Sequence, residues 1–453
     1  MRRVVKVSRI RIIITIIVVV LTTLLTGCTG KEPNEIAYVV ALGIDSTDDD
    51  NYKITIQYAN TTQISGGASE SGGKAGSEIV DNVTIEAPNI YAGVGLANNI
   101  VSKSFSMSHA KLIVFSKEIA EKGVKDMIET LVRSEEIRPD VFIAVANTTA
   151  NDYLTSVNPE MEVNPAQYYQ LIYQKNQLVG IPDGQLREFF TGLYTDNYDS
   201  ILPVAGVIEG SGGNSQNDDK GQSKDGQNEG SEGSSESLDS FESKNSDENE
   251  KVKDAEKNTS KYEYDIKNYV GGETAIEKKN KAEAIGAAVF EKDKMVGELG
   301  EVETEICKML KGDYTYSYLT YYNNDTPDIP ITVKTTQQKK PKYKIDTDKK
   351  TVDIELYIES DLYSLPADYN VENKIEDFER DVANYTSSAC TEFINNFTKK
   401  YNSDILKLNE KIKYKFLTNN QYNWFKKNVG WSEYKFSVCT NFKVRRTGLI
   451  VRE

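Results

Sequence analysis

Stretches of distinct hydrophobic pattern follow one another along this chain, and each predicts an element. Ile36 to Leu42 is a short continuous apolar run, which predicts a buried strand. Asp48-Asp49-Asp50-Asn51 supplies a turn, after which Tyr52, Ile54, Ile56 and Tyr58 alternate with polar residues. That period of two predicts a strand with one buried face, and the pair forms a hairpin. Mixed apolar and small residues from Thr84 to Phe105 predict a helix, with Gly93 and Gly95 weakening it. Ala110 to Phe115 predicts a compact strand. Ile119, Val124, Met127, Ile128, Leu131 and Val132 then recur at helical spacing with charges off the stripe, which predicts one amphipathic helix. Val141 to Ala146 is another buried strand, so strand, helix and strand form a βαβ unit. Helical patterns cover 168–173 and 186–193, and Ile201 to Ile208 closes the first half as a strand. Pro203 within it suits a sheet edge.

Beyond Glu209 the pattern stops. Residues 209–262 are Gly, Ser, Asn, Asp, Glu and Lys with almost no aliphatic side chain, a composition that predicts an acidic disordered linker. The second half, 263–453, resumes with Ala284 to Phe290 and Met295 to Leu299 as a hairpin and Glu301 to Leu310 as a short helix. Val352, Ile354, Leu356 and Ile358 alternate cleanly, as do Phe436, Val438, Thr440, Phe442 and Val444. Both runs predict strands, and Ile331 to Thr335 predicts a weaker one. Between them Val371, Ile375, Phe378, Val382, Tyr385, Ala389, Phe393, Phe397, Tyr401 and Ile405 step by three or four, one long apolar stripe that should lie across a sheet. The expected class is α+β: a mixed α/β domain over 36–208, and a C-terminal domain whose sheet is packed by one long amphipathic helix.

The first 27 residues read as a signal. A basic head (Arg2, Arg3, Lys6, Arg9, Arg11) precedes an uncharged run from Ile12 to Leu25, the length of a secretory signal core and short of the roughly 20 residues that span a bilayer. Leu25-Thr26-Gly27-Cys28 resembles a bacterial lipobox, cut before a cysteine whose sulfur carries diacylglycerol, with an uncleaved anchor ending in an incidental cysteine as the alternative. Residues 28–35 would then tether the folded part to lipid, and two or three acyl chains suffice for stable anchoring. The net charge of −15 argues against nucleic acid as a partner and would repel an anionic membrane surface, so attachment requires the covalent anchor.

Chemistry is sparse. Apart from Cys28 the cysteines are Cys307, Cys390 and Cys439, without metal-site or redox spacing; most read as ordinary semi-buried thiols, and a Cys390–Cys439 bridge is an open but unsupported alternative. His109 is the single histidine, which rules out a multi-histidine metal site. No carboxylate pair has catalytic spacing, so no enzyme activity, cofactor or metal is expected. Gly93-Val94-Gly95 lacks the third glycine and the acidic partner of a dinucleotide loop.

Several segments together resemble the Ger(x)C lipoproteins, the C subunits of spore germinant receptors. They are the lipobox, Ala41-Leu42-Gly43-Ile44-Asp45, the block Ser108 to Phe115, Arg133-Ser134-Glu135-Glu136-Ile137-Arg138, Gly286 to Phe290 with Asp293 to Gly297 and Glu303, and the closing Thr447-Gly448-Leu449. The tryptophan-aspartate pair usual after the lipidated cysteine is absent, and the acidic insert is long. The resemblance implies a lipoprotein on the outer face of the inner spore membrane, working with an A subunit and an integral-membrane B subunit in spore germination. It carries over no catalytic residue. His109, Arg133, Glu135 and Arg138 are candidates for a subunit contact, with intradomain ion pairs at a helix end as the plainer reading. A solute-binding lipoprotein of a transporter is the alternative function.

Overall fold

The computed structural model describes residues 13–17, 35–49, 51–59, 80–159, 162, 164–174, 180–195, 197–208, 268–274, 280–322, 330–364, 374–401 and 403–447. The lipobox residues Leu25, Thr26, Gly27 and Cys28, the 209–262 insert and Gly448-Leu449 lie outside them.

The expected N-terminal hairpin forms from β1 (Ile36–Ser46) and β2 (Tyr52–Ala59), and β3 (Val80–Ala87) extends it antiparallel. The helix expected over 84–105 is therefore corrected. Val83, Thr84 and Ile85 pair with β2, and only Ile90–Ala97 is helical (α1), started by Asn89 whose side chain accepts from the Ala92 N–H at 2.9 Å. Alternation and β-branching prevailed because β2 offered an edge to pair with. Gly93 has a packing role: a Cβ there would come within 2.6 Å of Ile54 Cδ1.

β4 (Ser104–Ser106) runs parallel beside the start of β1, and β5 (Leu112–Ser116) beside its later half. α2 (Lys117–Lys122) and α3 (Lys125–Val132) replace the single helix expected over 117–132, because Gly123 takes φ of 125° and ends the first. β6 (Phe142–Ala146) lies parallel to β5, completing the βαβ unit. α4 (Ala150–Ser156), α5 (Pro165–Gln174) and α6 (Leu186–Thr195) precede β7 (Ile201–Val207). β7 is an interior strand, parallel to β6 and antiparallel to β8 (Ala282–Glu291), against the expected edge position. The register shifts between Pro203 and Ala205, and that irregularity accommodates the missing proline donor. β8 and β9 (Lys294–Leu299) complete a nine-stranded mixed sheet of order β3-β2-β1-β5-β6-β7-β8-β9, with β4 beside β1. Strands from both halves of the chain thus share one sheet.

Helices cover both faces of this sheet. On one, Leu42, Ile44, Ile54, Ile56 and Phe115 meet Val94, Ile128 and Phe189 from α1, α3 and α6. On the other, Val40, Leu112 and Val114 meet Tyr153, Leu154, Tyr169 and Tyr173 from α4 and α5. β2 consequently has two buried faces where one was expected. Its Thr55 and Gln57 are enclosed and satisfied: Thr55 Oγ1 donates to Asn151 Oδ1 at 3.1 Å, and Gln57 Nε2 to the Leu154 carbonyl at 2.9 Å.

The second sheet has β13 (Thr351–Ser364) at its centre, antiparallel to β11 (Pro330–Gln337) and β12 (Lys342–Asp346) and parallel to β14 (Lys435–Arg446), with β10 (Tyr316–Tyr322) outside β11. β10 and β12 were not expected, since lysines and tyrosines on short strands leave little apolar period. α7 (Glu301–Lys311) sits between the sheets. Cys307 and Leu310 on it join Ala287, Val289 and Leu299 of the first sheet to Val352 and Leu356 of the second. The long stripe becomes α8 (Ile375–Lys400), with Tyr401 and Ile405 buried just past its end. α9 (Leu408–Ile412) and α10 (Asn419–Asn428) lead back to β14. This is an α+β architecture.

Candidate interaction surface

β1, β5, β6 and β7 are parallel, so the turns feeding them line one edge of the first sheet. Two motifs singled out in the sequence meet there. The turn before β5 closes through Ala110 N–H to the Met107 carbonyl at 3.1 Å, and Lys111 N–H reaches the Val40 carbonyl at 2.9 Å. In the loop before β6, Ser134 Oγ accepts from the Glu136 N–H at 3.2 Å and the Ile137 N–H at 3.4 Å, while Ile137 plugs into the core. Glu136 then ties loop to turn, its Oε2 accepting the Met107 N–H at 2.6 Å.

His109 is exposed on this turn and packs edge-on against Tyr38, centroids 5.0 Å apart. Arg133 pairs with Glu129 one helical turn back at 3.3 Å. Arg138 grips Asp140 with Nε and Nη2 at 3.0 and 3.2 Å, and this guanidinium holds the Asp140 carboxyl below its ordinary range. Glu135 points its exposed carboxylate outward from the same loop. An open cleft of ≈ 410 Å³ lies between Tyr91, Thr130 and residues 133–136. Burial pushes the Tyr91 hydroxyl up, against a hydrogen bond from the Ser134 side that pulls it down.

The structure therefore brings the His109 turn and the Arg133 to Arg138 loop onto one edge, and does not place them within a buried site. Exposed pairs of this kind contribute only ~0–1 kcal/mol each, so they display charge more than they stabilise. Tyr91 was missed as a member of the surface, and so was the backbone N–H of the buried Met107 as its tie. Nothing in their local pattern marks them, because their roles depend on contacts between distant segments.

Elsewhere, the three described cysteines are free. Cys390 is on the buried face of α8 whereas Cys439 is on the solvent face of β14, so no bridge joins them. Burial pushes the Cys307 and Cys390 thiols up to about 12, which removes their nucleophilicity. Among the described residues no three His, Cys, Asp or Glu side chains gather where they could hold a metal ion.

Two family models match in succession: the spore germination protein N-terminal domain over residues 30–207, and the spore germination B3/GerAC-like C-terminal domain over residues 285–448. The chain belongs to the GerAC family of spore germination proteins. It is similar to spore germination protein KC of Bacillus subtilis (strain 168), 26% identical over 174 residues covering 35% of this chain and 42% of that one. It is also similar to the putative spore germination protein YfkR of the same organism, 28% identical over 145 residues covering 32% and 37%, and to spore germination protein B3, 26% identical over 148 residues covering 30% and 36%. Each match spans less than half the length of the relative. The crystal structure of the GerBC protein aligns over 89% of this chain and 96% of that chain with a TM-score of 0.48 and 15% identity. In the GerAC family the Arg133 to Arg138 loop falls within the N-terminal domain match, and β8 to β14 within the C-terminal one.

Proposed function

We propose that this GerAC-family chain is the lipid-anchored C subunit of a nutrient germinant receptor. It acts without catalysis, as a scaffold on the outer face of the inner spore membrane that couples to A- and B-type receptor subunits. The observation that carries the reading is membership over both halves of the chain, residues 30–207 and 285–448. The lipobox-like Leu25-Thr26-Gly27-Cys28 supports the anchor, with Cys28 as the diacylglyceryl residue. His109, Arg133, Glu135 and Arg138 are the proposed subunit contact, since alternating exposed charges select a complementary partner more than they add affinity. The matched families give no support to the solute-binding alternative.

Co-purification tests it. Tagged chain extracted from spore membranes should carry Cys28 acylation and bring down A- and B-type subunits, and Arg133→Glu/Arg138→Glu should lose them. Recovery of a transporter permease instead would overturn the assignment.

A further inference from the structure

The overall charge of −15 conceals a local reversal. Between Lys407 and Lys427 the chain carries six lysines against one glutamate, Glu410, and of the six Lys407 is paired with Glu188 at 2.6 Å. The same segment holds three of the most exposed large apolar side chains among the described residues: Leu417 at 93%, Tyr414 at 81% and Trp424 at 64%. Leu417 occupies the position before the Thr418 N-cap of α10, where an apolar residue ordinarily folds back onto the helix. Phe416 does that packing here, its ring 5.7 Å from Tyr422 and 5.1 Å from Phe425, and Leu417 is left facing solvent. Trp424 is exposed while its neighbour Phe425 is buried, and Lys413 and Lys427 are exposed around them, whereas the Lys415 ammonium donates to the Ile345 carbonyl. Tryptophan, tyrosine and leucine interleaved with lysine is the pattern of a surface that enters the headgroup region of a bilayer.

Position agrees with composition. Lys426 Nζ reaches the Thr195 carbonyl at 3.2 Å and Asn197 Oδ1 at 3.1 Å, and the Tyr422 hydroxyl donates to Asn197 Oδ1 at 3.0 Å. Residues 195–199 feed β7, so α10 sits on the edge at which β1 also begins. β1 and β7 are three strand spacings apart, about 14 Å. Ile36 follows Cys28 by eight positions, which span at most roughly 28 Å.

We propose that the surface formed by Tyr414, Leu417 and Trp424 with Lys413 and Lys427 docks onto an anionic lipid bilayer. Leu417 and Trp424 enter the interfacial region and the lysines meet anionic headgroups. Held there, the chain keeps the His109 edge close to the membrane, where integral subunits would be met. The orientation rests on the anchored-subunit reading; the docking itself does not.

The test uses the full chain reconstituted into vesicles of mixed phosphatidylglycerol and phosphatidylcholine with brominated acyl chains. The chain has two tryptophans, and Trp431 is buried, so Trp424 is the reporter. Its emission should be quenched, Trp424→Phe should remove the quenched component, and Lys413→Glu/Lys427→Glu should weaken docking by roughly tenfold or more, read as lost quenching. Both sets of side chains are exposed, so folding is preserved. No quenching in vesicle-bound chain overturns the proposal, as does equal quenching in pure phosphatidylcholine. If the lysine reversal instead abolishes capture of partner subunits with no quenching in the parent, the surface meets an acidic protein and the bilayer is wrong. Unmodified Cys28 by mass spectrometry, with quenching intact, would count against the lipid anchor and for the docking surface.

Discussion

Asn395→Ala should open the edge of the second sheet. β14 pairs with β13 on one side only, and its other side runs along α8. There the helix supplies what a further strand would: Asn395 Oδ1 accepts the Phe436 N–H at 3.1 Å and its Nδ2 donates to the Phe436 carbonyl at 2.9 Å. One helical turn earlier Thr391 Oγ1 accepts the Val438 N–H at 3.0 Å, and another turn earlier Ser387 Oγ accepts the Thr440 N–H at 2.9 Å. Glu379 Oε1 takes the Val444 N–H at 2.8 Å. The register holds because four helix residues advance about 6.0 Å and two strand residues about 6.6 Å. Such cover keeps an exposed strand edge from templating association. Removing the Asn395 amide orphans one donor and one acceptor in a partly buried groove. At ~1–3 kcal/mol for each such group, tempered by water at the groove's rim, the local cost is about 2–3 kcal/mol. Amide exchange in a β14 peptide should then accelerate on the order of 30- to 140-fold, measured by mass spectrometry. Thr391→Val should produce a smaller acceleration confined to the neighbourhood of Val438. Parent amides at 436, 438 and 440 exchanging as fast as an unpaired edge, or no acceleration in Asn395→Ala, would refute this.

Other parts of the fold make their own predictions. Asp404 is buried beneath α9, where it accepts the Leu408 and Asn409 N–H groups at 2.8 and 2.9 Å, and burial raises its carboxyl to about 7. The folded chain then holds this proton more tightly than the unfolded one, so stability should fall as pH rises from about 4 towards 7, and Asp404→Asn should flatten that slope in urea midpoints measured across the range. Gly93→Ala should destabilise by about 1–3 kcal/mol through its clash with Ile54, visible as a lower melting temperature. Tyr169→Phe removes the hydroxyl that donates to Gln57 Oε1 at 2.5 Å, and the buried acceptor left behind should cost ~1–3 kcal/mol by the same assay. Cys28→Ala should abolish metabolic lipid labelling of the chain, while unchanged labelling would place the acyl group elsewhere.

The sequence was most readable where one face of an element is buried. The alternation in β13 and β14 and the stripe of α8 come through directly, since a period of two or 3.6 survives when one side stays wet. β2 misled because α4 and α5 cover its second face, turning Thr55 and Gln57 into core residues that a polar letter does not announce. Pro203 misled because a register shift supplies the tolerance that an edge would. That β8 and β9 close the first sheet is invisible locally, for strand partners across an insert are chosen by the whole fold. At the candidate surface, the Arg133 to Arg138 signature was legible as a charged loop, whereas its tie to the His109 turn through Glu136 and Met107 depends on two loops meeting at one edge. The Tyr414 to Lys427 surface was hidden by the global charge, which averages away a local reversal.

The central claim is that this chain serves a nutrient receptor from the membrane. Spores lacking it, compared with spores complemented by the parent chain and by Cys28→Ala, test that most directly through loss of refractility after nutrient addition. Spores without the chain should give no nutrient response but a normal response to a non-nutrient trigger, with rescue by the parent chain and impaired rescue by Cys28→Ala. An unimpaired nutrient response in the chain's absence would contradict the claim.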